Sequence, residues 1–568
     1  MLLEVLIQHL VSEYTLRVRV IIQDNLKDAM STLSASSPCI KPGFWLSVPK
    51  FYDTQGERFV TLGSWEELQC NKRCPTCLHI TDLFNVKFHT QGYDPTSAEY
   101  QFRLFDFSGT RLSLRLESKS RIFWPGFYVN PLSRGSSDRV GVLMDQYWID
   151  LQRVLLWIQS CDTTHGECHS QISTPSASLS SQNMYLISVS RKCLVEADDG
   201  EKYVALSYVW GWEFPQFKTV KANLAFLQGE GSLTNTKIRD HLPGTIQRAM
   251  YLTLSLDVDL LWVDCLCIVQ DDPVHVASQI DSMASIYSRA YLTLCAADGI
   301  DAESGLRGIR QCSQTRDVQQ DILAFANGPV ISEWVIWMPP KASAYKQRGW
   351  TFQEQVLSRR VLSFTETGLE WRCQEVSSQE QNREMRRPGS TYSDLSIVRA
   401  DTLWPCLKKW DNLVSSYLER RLTYEEDILR AFSGILRALG SSMLGDFLFG
   451  LPQGFFDAAL LWIPKEYLKR REDVGNGIGK YTFPSWSWAG WKGARASQIN
   501  AFGLGHERSN LLISHKPCVR DIFPCVTWFK IDIDEFDKVK IPNDYNIFRH
   551  KGLMGTITLP LGWSSHQD

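Results

Sequence analysis

The segment 200–360 predicts an α/β fold, a central parallel sheet flanked by helices, and three apolar runs carry that prediction. YVALSYVW at 203–210 is a continuous apolar run with β-branched residues, and LLWVD at 260–264 and AYLTLCAA at 290–297 are further apolar runs. Runs without strict alternation suit strands covered on both faces. Helix-period segments separate them, and strand–helix–strand–helix–strand is the pattern of parallel strands joined by right-handed crossovers. Mixed α+β regions are expected on both sides.

Taken in order, 203–210 forms the first strand. A helix follows at about 243–256, with Pro243 in its first turn and Ile246, Met250 and Leu254 recurring every four residues. After the strand at 260–264, Asp271 or Asp272 caps a helix opened by Pro273, whose stripe is Val276, Ile280, Met283 and Ile286 or Tyr287. The run at 290–297 completes the series. RGWTFQEQVLSRR at 348–360 reads as a helix after a glycine turn, with Trp350, Glu354 and Leu357 on one side, so that an indole and a carboxylate project together. Thr423 and Glu426 form a capping box for a helix through Ile428, Ala431, Phe432, Ile435 and Leu439. FPSWSWAGW at 483–491 alternates large and small residues, which predicts a strand with Trp486 and Trp488 on one face.

At 568 residues the chain exceeds one ordinary core. Polar stretches at 31–38, 173–183 and 381–390 punctuate it into an N-terminal region to about 180, the module at 200–360, and a C-terminal region over 390–568 that is helical and then β-rich. With 60 basic and 63 acidic residues the net charge is −3, so no basic excess exists to hold a nucleic acid. Arg383, Arg386 and Arg387 read as a solvated loop. The long apolar window 447–463 is broken by Pro452, Asp457 and two glycines, so no membrane span is expected. MLLEVLIQHL places Glu4 in its apolar run without a basic start, unlike a secretory signal. A cytoplasmic location follows as the expectation, with the 15 cysteines reduced and mostly buried. The 20 tryptophans imply thick cores, aromatic-lined pockets, or both.

Four segments in order resemble the fungal heterokaryon incompatibility (HET) domain: YVALSYVWG at 203–211, LWVDCLCIVQDD at 261–272, SMASIYSRAYLTLCAADG at 282–299 and RGWTFQE at 348–354. RLTYEEDILRAFSGI and FPSWSWAGW resemble sequence flanking that domain in stand-alone members. Val269 departs from the pattern, since many members have Asn there. The resemblance implies a fungal protein of non-self recognition and programmed cell death, with a fold distantly similar to the TIR domain. Some TIR domains cleave NAD and others only assemble, so NAD is the implied substrate of an enzyme version, and self-association or a protein partner the implied business of a binding version. An accessory role beside a fungal metabolic pathway is the third reading.

Open parallel sheets bind ligands beyond the carboxyl ends of their strands, which here carry Ser207 to Gly211, Asp264 to Cys267, and Asp298 with Gly299. Ser207, Tyr208, Trp210, Gly211, Arg348 and Trp350 are therefore the ligand-binding candidates, Gly211 for close approach of a loop and Trp350 for stacking on a base. Glu354 and Asp264 are the catalytic candidates. Breaking the nicotinamide–ribose bond expels a neutral leaving group, so a fixed carboxylate at Glu354 would stabilise the ribosyl cation, while Asp264 holds the ribose. The bland alternatives are that Glu354 pairs with Arg348, Arg359 or Arg360, and that Asp264 caps the following turn. Cys265 and Cys267 read as buried thiols. Cys70, Cys74, Cys77 and His79 form a Cys/His group that a structural zinc ion would suit. Cys161, His165, Cys168 and His169 form a second; WIQSCDTTHGECH resembles sequence ahead of the motifs in related proteins, which implies a role in the fold without a metal. No GxGxxG or P-loop fingerprint is present in the first-strand stretch.

Overall fold

The computed structural model describes residues 58–70, 77–78, 80–81, 100–107, 111–118, 123–131, 142–168, 184–211, 217–318, 320–325, 328–335, 343–382, 407–440, 446–460, 462, 468–471, 483–492, 529–531 and 538–540. The polar stretches at 31–38 and 173–183 lie outside them, as does 383–390. The chain divides into two compact units, one of residues 1–146, 317–341 and 378–385, the other of 147–316, 342–377 and 386–568. The smaller unit holds an antiparallel sheet in the order Arg58–Ser64, Tyr100–Phe107, Arg111–Ser118, Phe123–Pro131, Gly328–Val335, Asp321–Phe325. YQFRLFDF and RLSLRLES alternate with period two, and their register sets Phe102 against Leu116 and Leu104 against Leu114.

The larger unit begins with α1 (Leu151–Thr164), where the Asp150 carboxylate accepts the Arg153 N–H. Then come β1 (Tyr185–Ser188), β2 (Cys193–Glu196), β3 (Tyr203–Ser207), α2 (Gly244–Ser255), β4 (Leu260–Trp262), α3 (Pro273–Arg289), β5 (Leu292–Ala296), α4 (Trp350–Leu357), β6 (Arg360–Thr365) and β7 (Gly368–Cys373). Seven of the sheet's eight strands run in the order β7-β6-β5-β3-β4-β1-β2. Its centre, β6-β5-β3-β4, is parallel, and antiparallel strands flank it on each side. This is the α/β sheet expected, with antiparallel edges that the motifs did not announce. Every residue of β3 and β5 is buried, as strands covered on both faces require.

Both crossover helices form where expected, with adjustments. Pro273 opens α3, and the Asp272 carboxylate accepts the N–H groups of Val274 and His275. Pro243 lies just before α2 rather than in its first turn. The buried face of α2 carries Ile246, Ala249, Met250 and Leu252, while Leu254 is exposed. A three-to-four residue stagger fits the face better than the strict spacing of four. The helix expected at 348–360 stops at Leu357, because Ser358 donates to the Glu354 carbonyl at 2.6 Å and the chain then extends into β6.

Two C-terminal expectations are corrected. Thr423 and Glu426 make no capping box. Residues 425–428 and 430–432 form 3₁₀ turns ahead of a short helix at Ser433–Gly440, with Glu425 drawn into ion pairs with Arg471 and Lys492. FPSWSWAGW is not a strand: Ser487 accepts the Ala489 N–H at 3.0 Å and bends the chain into a turn, leaving strand only at Trp491–Lys492. Trp488 is fully buried against Tyr417 and Phe432, whereas Trp486 is exposed, so the two share no face.

Gly434 sits where α4, α3 and the C-terminal helix meet. A Cβ there would lie 2.5 Å from the Ala284 Cβ and 2.8 Å from Leu357 Cδ1. Gly434→Ala should lower the urea midpoint, read by tryptophan fluorescence, by the equivalent of about 1–3 kcal/mol. Gly440→Ala, with nothing within 4 Å of its Cβ, should cause no loss.

Candidate active site at the strand ends

In chain order the four parallel strands are β3, β4, β5 and β6, but across the sheet they lie β4-β3-β5-β6. The order reverses between β3 and β5, and doubly wound sheets bind ligands outside the carboxyl ends at such a point. Ser207, the last residue of β3, pairs there with Cys295 of β5. Helix α4 brings Glu354 onto it: the Ser207 hydroxyl donates to Glu354 Oε2 and lies 2.6 Å from the Tyr345 hydroxyl. Tyr287, from α3, approaches the same carboxylate and donates to the Leu206 carbonyl at 3.1 Å.

This carboxylate is unusually dry. Glu354 is 8% exposed and Ser207 1%. Burial pushes Glu354 from its ordinary 4.5 up to about 7, and repulsion from Asp264 adds to the rise. The Ser207 hydroxyl and the Arg348 guanidinium oppose it without cancelling it. A buried carboxylate titrating near neutrality at a strand end is a functional-site candidate. The ion-pair alternatives fall to other partners, since Arg359 donates to the Arg289 carbonyl at 2.9 Å and Arg360 pairs with Asp162 at 2.7 Å.

Asp264 follows β4 and opens one helical turn, Asp264–Cys267. Its Oδ1 accepts the Cys265 N–H at 2.7 Å and its Oδ2 accepts the Trp210 indole N–H at 2.8 Å. The Tyr208 hydroxyl also reaches it, and burial raises its pKa against these donors and Arg348. Arg348 donates to the Tyr208 carbonyl at 3.3 Å. Glu354, Ser207, Tyr208, Asp264, Trp210 and Arg348 therefore form one connected group, with Asp264, Trp210 and Arg348 partly exposed and the rest buried.

Other expected residues belong elsewhere. Trp350 is not brought to this group: its indole hydrogen-bonds Asp427 and it packs on the C-terminal hydrophobic cluster, so indole and carboxylate face different neighbours. Gly211 has φ +84°, and its Cβ position is 2.8 Å from Asp301 Cβ, which explains the glycine by backbone and packing. Asp298 accepts the Leu306 and Arg307 N–H groups at 3.0 Å each and organises its own loop. Cys265 and Cys267 are buried, with thiols pushed up by burial, Cys267 to about 12. Tyr287, Tyr345 and Arg420 were missed. The signal for the tyrosines was a hydroxyl within an apolar stripe, which needs a partner once buried. Arg420 reaches in from the C-terminal region, donating to the Arg348 carbonyl at 3.1 Å and Thr351 Oγ1 at 2.9 Å. Of Cys70, Cys74, Cys77 and His79, only Cys77 has a described side chain, a buried one. Cys161, His165 and Cys168 come together, whereas His169 lies outside the described residues.

Because Glu354 keeps its proton to about pH 7 when folded but releases it near 4.5 when unfolded, the folded state binds more protons between those values. Stability should therefore fall as pH rises through that window, by on the order of 3 kcal/mol. Glu354→Gln imitates the protonated form and should be the more stable protein at pH 8, with the difference vanishing near pH 4. Thermal denaturation of both proteins across pH 4–8 measures it, and parallel curves would refute the buried-acid assignment.

Residues 203–354 match the family model described as heterokaryon incompatibility protein (HET). No curated protein matches the chain, and no solved structure matches it. The matched segment opens at the first residue of β3 and closes at Glu354, so both ends of the Ser207–Glu354 hydrogen bond fall within it. Residues 203–354 are thus similar to the heterokaryon incompatibility (HET) domain, a likeness that supports a role related to heterokaryon incompatibility in general.

Proposed function

We propose that this protein acts in incompatibility-type cell-death signalling by binding NAD and hydrolysing its nicotinamide–ribose bond at the β3–β5 strand ends. The observation that carries the reading is the convergence of Glu354, Asp264 and Trp210 at the switch point, with Glu354 poised near neutrality. In the reaction the C1′–N bond breaks with its electron pair leaving on the pyridine nitrogen, and water adds at C1′ to give ADP-ribose, nicotinamide and a proton. The leaving group departs neutral, so no acid is required. Ionised Glu354 stabilises the ribosyl cation, and the site's dryness strengthens that attraction. Asp264, fixed by the Trp210 indole and the Cys265 amide, accepts a ribose hydroxyl. Ser207 and Tyr345 orient Glu354.

Purified full-length protein incubated with NAD should release nicotinamide, measured chromatographically. Glu354→Gln should lower the rate about 10²–10³-fold. Only ionised Glu354 stabilises the cation, so the wild-type rate should rise with pH through about 7. Equal release by the two proteins would remove Glu354 from the chemistry. No release by a wild-type protein that self-associates would overturn the enzyme reading in favour of an assembly module.

A further inference from the structure

We propose that Cys161, His165, Cys168 and Cys373 form a closed structural zinc site tying α1 to the β6–β7 hairpin. Cys161 and His165 lie one helical turn apart at the end of α1, Cys168 follows in a 3₁₀ turn, and Cys373 closes β7, 208 residues from His165. Their four ligand atoms lie within 4.8 Å of one another. Tetrahedral zinc with bonds of about 2.3 Å to sulfur places its sulfurs about 3.8 Å apart, so the group has the dimensions of one zinc shell. All three cysteines are free and buried, and His165 is nearly so.

Hydrogen-bond donors also surround the sulfurs. The Val376 N–H is 3.4 Å from Cys373 Sγ, and the Glu375 and Gln374 amides are directed at Cys373 and Cys168 respectively. Arg360, itself buried, donates from Nε to Cys161 Sγ at 3.2 Å. Three thiolates and an imidazole around a divalent zinc leave a single negative charge, which the Arg360 guanidinium balances. Four protein ligands leave no position for water or substrate, so the site stabilises the fold rather than catalysing. Arg360 and Cys373 pair across β6 and β7, placing the cluster at the amino ends of the parallel strands, away from Glu354.

The test uses full-length protein purified without chelator. Elemental analysis should find one zinc fewer per chain in Cys168→Ser and Cys373→Ser than in wild type, a difference that any metal held by the Cys70–His79 group would not alter. Cobalt-substituted wild type should show the charge-transfer and d–d bands of a tetrahedral thiolate site. His165→Cys, which keeps four ligands and should therefore fold, should shift those bands. Equal zinc in wild type and both serine variants would overturn the proposal, as would an unshifted cobalt spectrum in His165→Cys. Mass-spectrometric detection of a disulfide among Cys161, Cys168 and Cys373 in the folded protein would also overturn it.

Discussion

Helix α4 is gripped from two sides, and the rest of the larger unit is arranged around that grip. One side sends Glu354 to Ser207 at the end of β3. The other sends Phe352, Val356 and Leu357 into a hydrophobic cluster with Tyr417, Phe432 and Trp488. Each fully buried side chain of this kind contributes about 1.5–3 kcal/mol. That is comparable to the cost of holding one carboxylate out of water, so apolar packing on the outer face offsets an unfavourable placement on the inner one. The Gln353 side chain joins the two faces by accepting the Gly434 N–H at 2.7 Å.

The grip explains why the family segment does not stand alone in this chain. The Arg421 N–H donates to the Gln347 carbonyl, and the Gly349 N–H donates to the Arg421 carbonyl at 2.8 Å. Gly349 must lack a side chain here, because its Cβ would lie 2.5 Å from Leu422 Cδ2. Arg420 lies over the Phe352 ring, its centre 4.7 Å from the ring centroid, and stays cationic although burial lowers its pKa to about 10. A positive charge near Glu354 therefore comes from outside the matched residues 203–354. The C-terminal helices are part of the site's electrostatics, not an appendage.

Which features were legible follows from the range of the interactions that make them. β3, β4, β5 and α3 were readable because burial on both faces and an Asp–Pro cap are written within a few consecutive residues. The chain's own motifs also placed Ser207 and Asp264 at strand ends and Glu354 on a helix after a glycine turn. What could not be read was pairing: the Ser207–Glu354 bond joins residues 147 positions apart, and Arg420 approaches Thr351 across 69. Cys373 meets His165 across 208 residues, a distance that no local Cys/His spacing spans. The C-terminal errors have a local cause instead. In FPSWSWAGW a single serine hydroxyl competes with extension, and in YEEDI the chain enters a 3₁₀ turn at Glu425, which distant Arg471 and Lys492 hold by ion pairs.

The two ends of the sheet are coupled by a short piece of chain. After Glu354, α4 ends at Leu357, Ser358 bonds Thr293 of β5 at 2.7 Å, and Arg360 enters β6 held by Asp162 and Cys161. The carboxylate at one end and the thiol cluster at the other are thus separated by less than two helical turns of backbone, fixed to the sheet at both limits. Between Arg360 and Glu354 the link is also tied down, since Ser358 donates to the Glu354 carbonyl and Arg359 to the Arg289 carbonyl. Under the proposed hydrolysis the geometry at Glu354 would tolerate little displacement, since losses of 10²-fold follow from misplacement by about 1 Å. Rigidity at the amino ends of the strands is therefore a condition for orienting Glu354 at the carboxyl ends, which gives α1 a part in the site although it supplies no residue to it.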